Sequence, residues 1–313
     1  MATQRDVKDR ISSVQNIRKI TRAMEMVAAA RLRRAEQRIE HLRPYADIIR
    51  RMTRQAAERA GHVPNLPILE ERESVSNVGL VLITGDRGLA GAFNSQIVRA
   101  GVRAAAEHSS EGHDAKWFAA GRRGVSSLTF RDYDVAGAFT GFSDRPAYAD
   151  AREIAQKVMA CYIDGEVDRV ELFYNHYVSP LTQTVTRETL LPLQQADVMG
   201  PQENNGEQGN NGKDPEQSEN EEQEPDSRAL VEYEPDPEVI LGRLVPDYVE
   251  ISVYRALLES TASEHGARMT AMRNASENAG ELVDDLTLEM NRARQAEITQ
   301  EIMEVVAGAN ALS

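Results

Sequence analysis

The sequence predicts an α/β protein in which a long antiparallel coiled coil pairs the first and last segments of the chain. Three observations predict it. Apolar residues recur at helical spacing in residues 1–60 and again in residues 240–313. The segments between them alternate between strand-like and helix-like patterns. Residues 1–60 carry 15 basic and 7 acidic side chains, a net charge of +8, whereas residues 239–313 have a net charge of −6. Opposite charges favour pairing.

The first predicted element is one helix from residue 3 to about residue 60. Its expected packing face is the apolar stripe Ile17, Ile20, Met24, Val27, Ile39 and Leu42. Only Pro44 interrupts the pattern. Because proline lacks a backbone donor and restricts the residue before it, we expect a kink or pause near Arg43.

The last predicted element is a helix that follows Pro246 and runs to about Ala307. Its expected packing positions, which we call the seam, alternate steps of three and four: Ala262, His265, Met269, Met272, Ser276, Ala279, Val283, Leu286, Met290 and Ala293. Small residues and methionines replace the leucine and isoleucine of a stable zipper, so the two helices can approach closely but bury little area. Two interpretations stay open, a hairpin in an ordinary bundle or a slim shaft that an external sleeve holds.

Between the helices, residues 75–193 are predicted to form a Rossmann-like α/β domain with a mainly parallel sheet. The expected strands are residues 78–85, 115–121 and 169–179, and the expected helices are residues 92–108 and 147–164. Residues 182–193 follow closely enough to form an antiparallel strand. Residues 194–238 have a net charge of −12 and almost no apolar side chains, which predicts a disordered acidic insert.

The composition limits the function classes. A single cysteine, Cys161, excludes an internal disulfide. No apolar run is long enough to span a membrane and no secretory signal pattern is visible, so we expect a soluble protein. A basic arm can also bind nucleic acid, but Tyr45 is the one aromatic residue in residues 1–60 that could stack on a base. This disfavours nucleic acid as the partner.

The stretch VLITGDRGLAGAFNSQ, residues 81–96, resembles the start of a nucleotide-binding domain. A P-loop requires G-x-x-x-x-G-K-[ST], yet with Gly85 counted as the first position, Ala90 and Gly91 stand at the sixth and seventh. No combination of the glycines fits G-x-G-x-x-G either. The glycines therefore predict a tight loop and close helix–sheet contact, with Asp86 and Arg87 paired within it.

The sequence also lacks the other common catalytic and metal-binding patterns. His108 and His113 are five positions apart, which does not place them on one helical face. Cys161 lies in a predicted helix and is expected to be packed. No G-x-S-x-G elbow occurs. The sequence therefore predicts no catalytic, cofactor-binding or metal-binding residues and favours a mechanical or interaction role.

Three separated motifs resemble the γ subunit of F-type ATP synthases: KITRAMEMVAAARLRRA at 19–35, ITGDRGLAGAFN at 83–94 and NRARQAEITQEIMEVVAGANAL at 291–312. The family's carboxy-terminal signature is filled at Ile298, Thr299, Glu301, Glu304, Gly308, Ala309 and Ala311. The resemblance implies a non-catalytic rotor shaft inside a ring of three α and three β subunits. It also implies that the α/β domain contacts the ε subunit and the membrane-embedded c-ring, and that proton flow turns the shaft.

The resemblance also implies contact residues. Arg294 and Gln295 match positions that hydrogen-bond a loop of β and act as a catch. Met24 matches a position near an acidic lever of β, beside the basic residues Lys19, Arg22, Arg31, Arg33 and Arg34. With no targeting segment visible, we expect the complex on the cytoplasmic face of a bacterial cell membrane.

The acidic insert departs from the family pattern. Plastid relatives carry a two-cysteine redox switch in this region, whereas residues 194–238 contain no cysteine. Two rival hypotheses remain for the whole chain, a free-standing coiled-coil scaffold and a nucleotide-dependent enzyme.

Overall fold

The computed structural model describes residues 4–60, 68, 72, 74–193 and 237–311. Within these ranges the helices are α1 (Gln4–Ala60), α2 (Phe93–Ser110), α3 (Arg122–Thr129), α4 (Tyr148–Ile163) and α5 (Pro237–Ala311). The strands are β1 (Asn77–Ile83), β2 (Asp114–Ala120), β3 (Val135–Phe139), β4 (Arg169–Tyr177) and β5 (Gln183–Leu191). The predicted insert at 194–238 lies almost wholly outside the described residues.

The five strands form one sheet in the order β3-β2-β1-β4-β5. The first four are parallel and β5 is antiparallel to β4. Alternate side chains of β1 supply the two faces of the sheet. Leu80 and Leu82 pack on the side of α2 and α3, whereas Val81 and Ile83 pack on the side of α4 and α5. The predicted fold class is confirmed.

The sequence prediction missed β3 and α3. The strand VAGAF contains only small residues between Val135 and Phe139 and is mostly half-buried, so it lacks the apolar run that marks the other strands. The helix α3 has only eight residues, too few for a helical period to stand out.

The helices α1 and α5 pair antiparallel. Leu32 and Ala35 pack on Ala262, the Glu25 carboxylate lies 3.0 Å from Arg273 Nε, and Arg18 lies against Gly280. The two residue numbers in each contact add to nearly the same value, which is the register of an antiparallel pair. All ten predicted seam positions of α5 are buried or half-buried, and the seam is confirmed.

The predicted packing face of α1 is wrong in its first half. Ile17, Ile20 and Val27 are 52%, 59% and 53% exposed. The buried residues among the described side chains of α1 recur at steps of three, four or a multiple of seven: Val7, Thr21, Ala28, Leu32, Ala35, Ile49 and Thr53. Alanine and threonine fill four of these positions, and such small side chains let the two backbones approach closely. The larger apolar residues point outward.

Neither proline ends its helix. The helix α1 is continuous through Pro44, so the expected pause near Arg43 is absent. The helix α5 passes through Pro246 and begins earlier than predicted, at Pro237. Residues on both sides of Pro246 are buried against the sheet, and this packing offsets the hydrogen bond that the proline removes.

The helix α5 belongs to the core of the α/β domain as well as to the helix pair. Its first part contributes Leu241, Val245, Val249, Val253 and Leu257 at four-residue spacing. Glu250 also accepts hydrogen bonds from Tyr148 Oη at 2.8 Å and Arg152 Nε at 3.0 Å, both on α4. Further along, α5 turns its seam toward α1. One continuous helix therefore joins the sheet to the pair.

A buried histidine on α5 predicts acid sensitivity. His265 is 1% exposed, and burial, helped by the nearby Arg268 guanidinium, lowers its pKa from 6.5 to about 4. The unfolded chain therefore binds this proton more readily, so stability falls as the pH drops from 6.5 toward 4. We expect His265→Gln to remove about 3 kcal/mol of that loss.

Urea unfolding of the full chain across this pH range measures the effect. His41→Gln, at an exposed position of α1, is the control and is expected to follow the parent protein. Parallel stability curves for the parent and His265→Gln would contradict the prediction.

Candidate functional site: the strand ends and the surface of the helix pair

The first candidate site is the crevice at the carboxyl ends of the parallel strands, where open α/β sheets bind ligands. Here α5 occupies it. Ser260 Oγ donates to the Ile83 carbonyl at 3.3 Å, and Ser263 Oγ donates to the Asn175 carbonyl at 3.0 Å. Thr261 Oγ1 donates to the carbonyl of Ser143, in the loop that follows β3, at 3.0 Å. The crevice is therefore filled by the chain's own helix.

The backbone donors of this edge bind a carboxylate of the chain. Asp86 accepts hydrogen bonds from the amides of Arg122 at 2.9 Å, Gly141 at 3.0 Å and Ser143 at 3.1 Å. Burial raises the pKa of Asp86, but the amide hydrogen bonds outweigh it and hold the pKa below its usual value. Asp86 thus links the loops that follow three strands.

The expected pairing of Asp86 with Arg87 is wrong. Arg87 Nη1 lies 3.2 Å from Asp144 Oδ2, because Asp86 points toward the backbone amides. The structural use of the glycines is confirmed. Gly91 has a φ of +55°, and a Cβ on Gly85 would lie 2.7 Å from Glu264 Cδ on α5. Glycine therefore permits the close approach of α5.

A buried ion pair holds α5 against this loop. Glu264 Oε1 lies 2.5 Å from Arg268 Nη2, which also donates to the Gly88 carbonyl at 3.2 Å. Burial raises the pKa of Glu264, although Arg268 opposes the shift. The charges compensate each other inside the contact, as a buried pair requires.

The second candidate site is the outer surface of the helix pair. Of the predicted basic contacts, Arg31 is engaged within the chain: its Nη1 lies 2.7 Å from Asp144 Oδ2. This ion pair ties α1 to the loop after β3. The other four basic residues are exposed: Lys19, Arg22, Arg33 and Arg34.

Met24 is half-buried beside an open cavity of about 520 Å³ between α1 and the glycine loop. The walls include Ile20 and Val27 from α1 and Leu89 from the loop. Arg34 lies at a second cavity of about 550 Å³, near Asp144. Lys19 and Arg22 lie close to Met24 along α1, so an apolar groove and positive charge adjoin on this side.

Arg294 and Gln295 lie near the end of the pair. Extending the register in which Arg18 meets Gly280 places Arg294 opposite the first residues of α1. Both side chains are exposed. Beyond them α5 continues to Ala311 without α1 beside it, a span of about 25 Å.

Apolar residues cover much of this single helix. Ile298, Ile302 and Val305 repeat at steps of four and three and are exposed, Val305 by 72%. Met303 and Val306 widen the apolar surface. A contiguous exposed apolar surface marks an interaction site.

The outward apolar stripe of α1 differs from the sequence prediction, which places part of it in the core. It is formed by Ile17, Ile20, Met26 and Val27. The seven-residue spacing of small residues was the signal that could have found the true packing face. The sequence prediction also missed Asp144, which binds Arg31 and Arg87.

Comparisons with known proteins agree on one family. The family model described as ATP synthase matches residues 3–312. A protein named ATP synthase gamma chain in Rubrobacter xylanophilus is 42% identical over 313 residues, covering 100% of this chain and 99% of that protein. The ATP synthase gamma chain of Desulfitobacterium hafniense is 41% identical over 312 residues, covering 100% of both.

Solved structures show the same fold. A chain in the cryo-EM structure of the Tetrahymena thermophila mitochondrial ATP synthase central stalk and c-ring is 26% identical, with a TM-score of 0.58. The alignment covers 82% of this chain and 99% of that one. A chain of the Euglena gracilis mitochondrial ATP synthase, in a structure of OSCP, F1 and c-ring, has a TM-score of 0.62 at 19% identity, covering 99% and 94%.

In the part of the chain that the structure describes, no helix combines the length and the apolar character needed to cross a bilayer.

The bonds of Asp86 predict a stability loss on neutralisation. Asp86→Asn keeps the shape but removes the charge and turns an NH₂ group toward donors. We expect the free energy of unfolding to fall by about 2–3 kcal/mol. Urea unfolding at neutral pH measures it, with Asp164→Asn as the exposed control. Equal stabilities of the two variants would contradict the role of Asp86.

Proposed function

The chain belongs to the ATP synthase family as a gamma chain, and on that premise we propose that α1 and α5 form the central rotor stalk of an F-type ATP synthase. It is a non-catalytic subunit. Rotation of the stalk couples transmembrane proton flow to ATP synthesis or hydrolysis at the β subunits. The observation that carries this proposal is the packing of the helix pair, which places small residues inside and leaves large apolar residues exposed.

The exposure of these large apolar residues supports a shaft that an external sleeve holds, rather than a hairpin in an ordinary bundle. A free-standing scaffold would bury Ile17, Ile20 and Val27, because burying such side chains stabilises a fold by about 1.5–3 kcal/mol each. Instead they face outward together with the apolar end of α5. Both surfaces suit a shaft that a ring of subunits encloses. Small seam residues keep that shaft thin.

The partners follow from the family. The ring consists of three α and three β subunits around the helix pair, and the ε subunit and c-ring contact the α/β domain. We propose the cytoplasmic face of a bacterial cell membrane as the location, with membrane association through the complex alone. Nucleotide binds at the ring subunits, which is consistent with the filled strand-end crevice of this chain.

Two groups of residues are proposed to contact β. Arg294 and Gln295 form the catch, and their exposure beyond the start of α1 supports it. The second group lies along α1: Lys19, Arg22, Met24, Arg33 and Arg34. Arg31 belongs to this second group, and its ion pair with Asp144 leaves its side chain 38% exposed. A few charged contacts give an angle-dependent energy without trapping the shaft.

The division into parts is also proposed. Residues 1–60 and 240–313 form the shaft, residues 75–193 form the α/β domain that contacts ε and the c-ring, and residues 194–238 form a solvated loop without a part in coupling.

The catch predicts a kinetic effect without loss of folding. In the assembled α₃β₃γ complex, Arg294→Ala should lower the ATP hydrolysis rate by about fivefold or more, because a charge-assisted contact of at least about 1 kcal/mol is lost. Steady-state ATPase activity and circular dichroism measure the two quantities. Arg292→Ala, also exposed on α5, is the control. Unchanged activity of Arg294→Ala would contradict the catch.

The acidic insert gives an opposite prediction. Deleting residues 202–226 should leave both assembly and proton-coupled ATP synthesis within about twofold of the parent enzyme, because a solvated loop contributes little packing. Reconstituted vesicles driven by a pH gradient measure the synthesis rate. A clear loss of assembly or coupling would show that the insert makes a specific contact.

A further inference from the structure

We propose that the α/β domain binds a zinc ion through His108, Glu111 and His113. The site lies at the end of α2 and the turn that leads into β2. It is independent of the stalk function, and it lies outside the residues discussed for the helix pair.

The backbone brings the three side chains together. The helix α2 ends at Ser110, and the amides of Glu111 and His113 both donate to the His108 carbonyl, at 3.0 and 2.9 Å. Gly112 makes the reversal with a φ of +87°. On a continuous helix, a spacing of five residues would place the two histidines on different faces. Here the chain reverses between them, and their ring centroids lie 5.9 Å apart.

The two ligand-atom distances to Glu111 are close to the spacing that zinc requires. Glu111 Oε2 lies 3.6 Å from His108 Nδ1 and 3.5 Å from His113 Nδ1. All three ligand atoms lie within 4.8 Å of one another. With metal–ligand bonds of about 2.0–2.1 Å, the ligands of a tetrahedral zinc are about 3.4 Å apart. Shifts of a few tenths of an ångström in the Glu111 contacts bring them to that value.

The two histidine nitrogens are also without other partners. His108 Nδ1 and His113 Nδ1 are both buried and neither makes a hydrogen bond. The His108 side chain is only 5% exposed. A buried polar nitrogen without a hydrogen bond is costly, and coordination to a bound cation removes that cost.

A second layer of side chains orients His108. Its Nε2 lies 3.2 Å from Glu171 Oε1 on β4 and 3.0 Å from Arg187 Nη2 on β5. Zinc on Nδ1 requires the tautomer with the proton on Nε2, which donates to Glu171. Arg187 Nη2 has no acceptor on Nε2 in that tautomer and donates to Glu171 Oε1 at 2.9 Å. Carboxylates commonly orient metal-bound histidines in this way. Arg187 on β5 holds Glu171 through bonds of 2.8 and 2.9 Å.

The surrounding charge favours a cation. Arg187 Nη2 lies 3.0 Å from His108 Nε2, and its Nη1 binds Glu107 at 2.8 Å. Three carboxylates, those of Glu107, Glu111 and Glu171, thus surround one guanidinium. The carbonyl end of α2 adds a partial negative charge.

The donor set selects the metal. Two imidazoles and one carboxylate suit Zn²⁺, whereas Mg²⁺ and Ca²⁺ require oxygen ligands. Glu111 is 61% exposed, so the ion can enter from solvent and water can complete the coordination. Bound zinc would clamp the end of α2 and the turn before β2, and so stabilise the domain.

Zinc titration of the full-length chain, first stripped of metal with a chelator, tests the site by calorimetry at neutral pH. We expect one Zn²⁺ per chain, a dissociation constant at least about tenfold weaker in His113→Ala, and no change in the control His41→Ala. Zinc should also raise the melting temperature of the parent chain, and Co²⁺ should give the visible absorption of a four-coordinate site.

Glu111→Gln provides a second variant at an exposed side chain, so the test does not depend on the folding of His113→Ala. Weaker zinc binding in this variant supports the proposal. Absence of saturable binding in the parent chain would overturn it, as would equal affinity in Glu111→Gln, His41→Ala and the parent. ATPase activity of the assembled complex is a separate readout, so failure here leaves the stalk function untouched.

Discussion

The packing of α5 is the interaction on which the rest of the structure depends. Its first part completes one face of the sheet through Leu241, Val245 and Val249, and its middle part pairs with α1. Ser260 and Ser263 fasten it across the strand ends. Because the helix is continuous, it connects the α/β domain directly to the helix pair. The same part of α5 fills the crevice at the strand ends, where other open α/β sheets bind ligands.

A thin helix pair is a compromise between stability and fit. Ala28, Ala35 and Ala262 bring the backbones close but bury little area per layer, so the pair gains less from hydrophobic burial than a leucine zipper does. Polar contacts supply part of the difference. The Glu25–Arg273 ion pair joins the two helices, and Arg31 with Asp144 braces α1 against the domain. The enclosing ring is expected to supply the rest.

Sequence patterns predicted most of the fold, because β1, β2 and β4 are apolar runs and the α5 seam repeats every three or four residues. The core face of α1 was not predictable from hydrophobicity, since Ile17, Ile20 and Val27 serve an external surface. At the candidate sites, Arg294 and Gln295 came from motif resemblance. The Asp86 bonds and the meeting of His108 with His113 depend on backbone turns, which residue spacing does not encode.

In the proposed assembly, one copy of this chain lies on the axis of a ring of six subunits. Native mass spectrometry of the complex, purified through a tag on this chain in mild detergent, tests it most directly. We expect one copy of the chain with three α and three β subunits. Recovery of the intact chain alone or as a homodimer, under conditions that preserve assemblies, would contradict it.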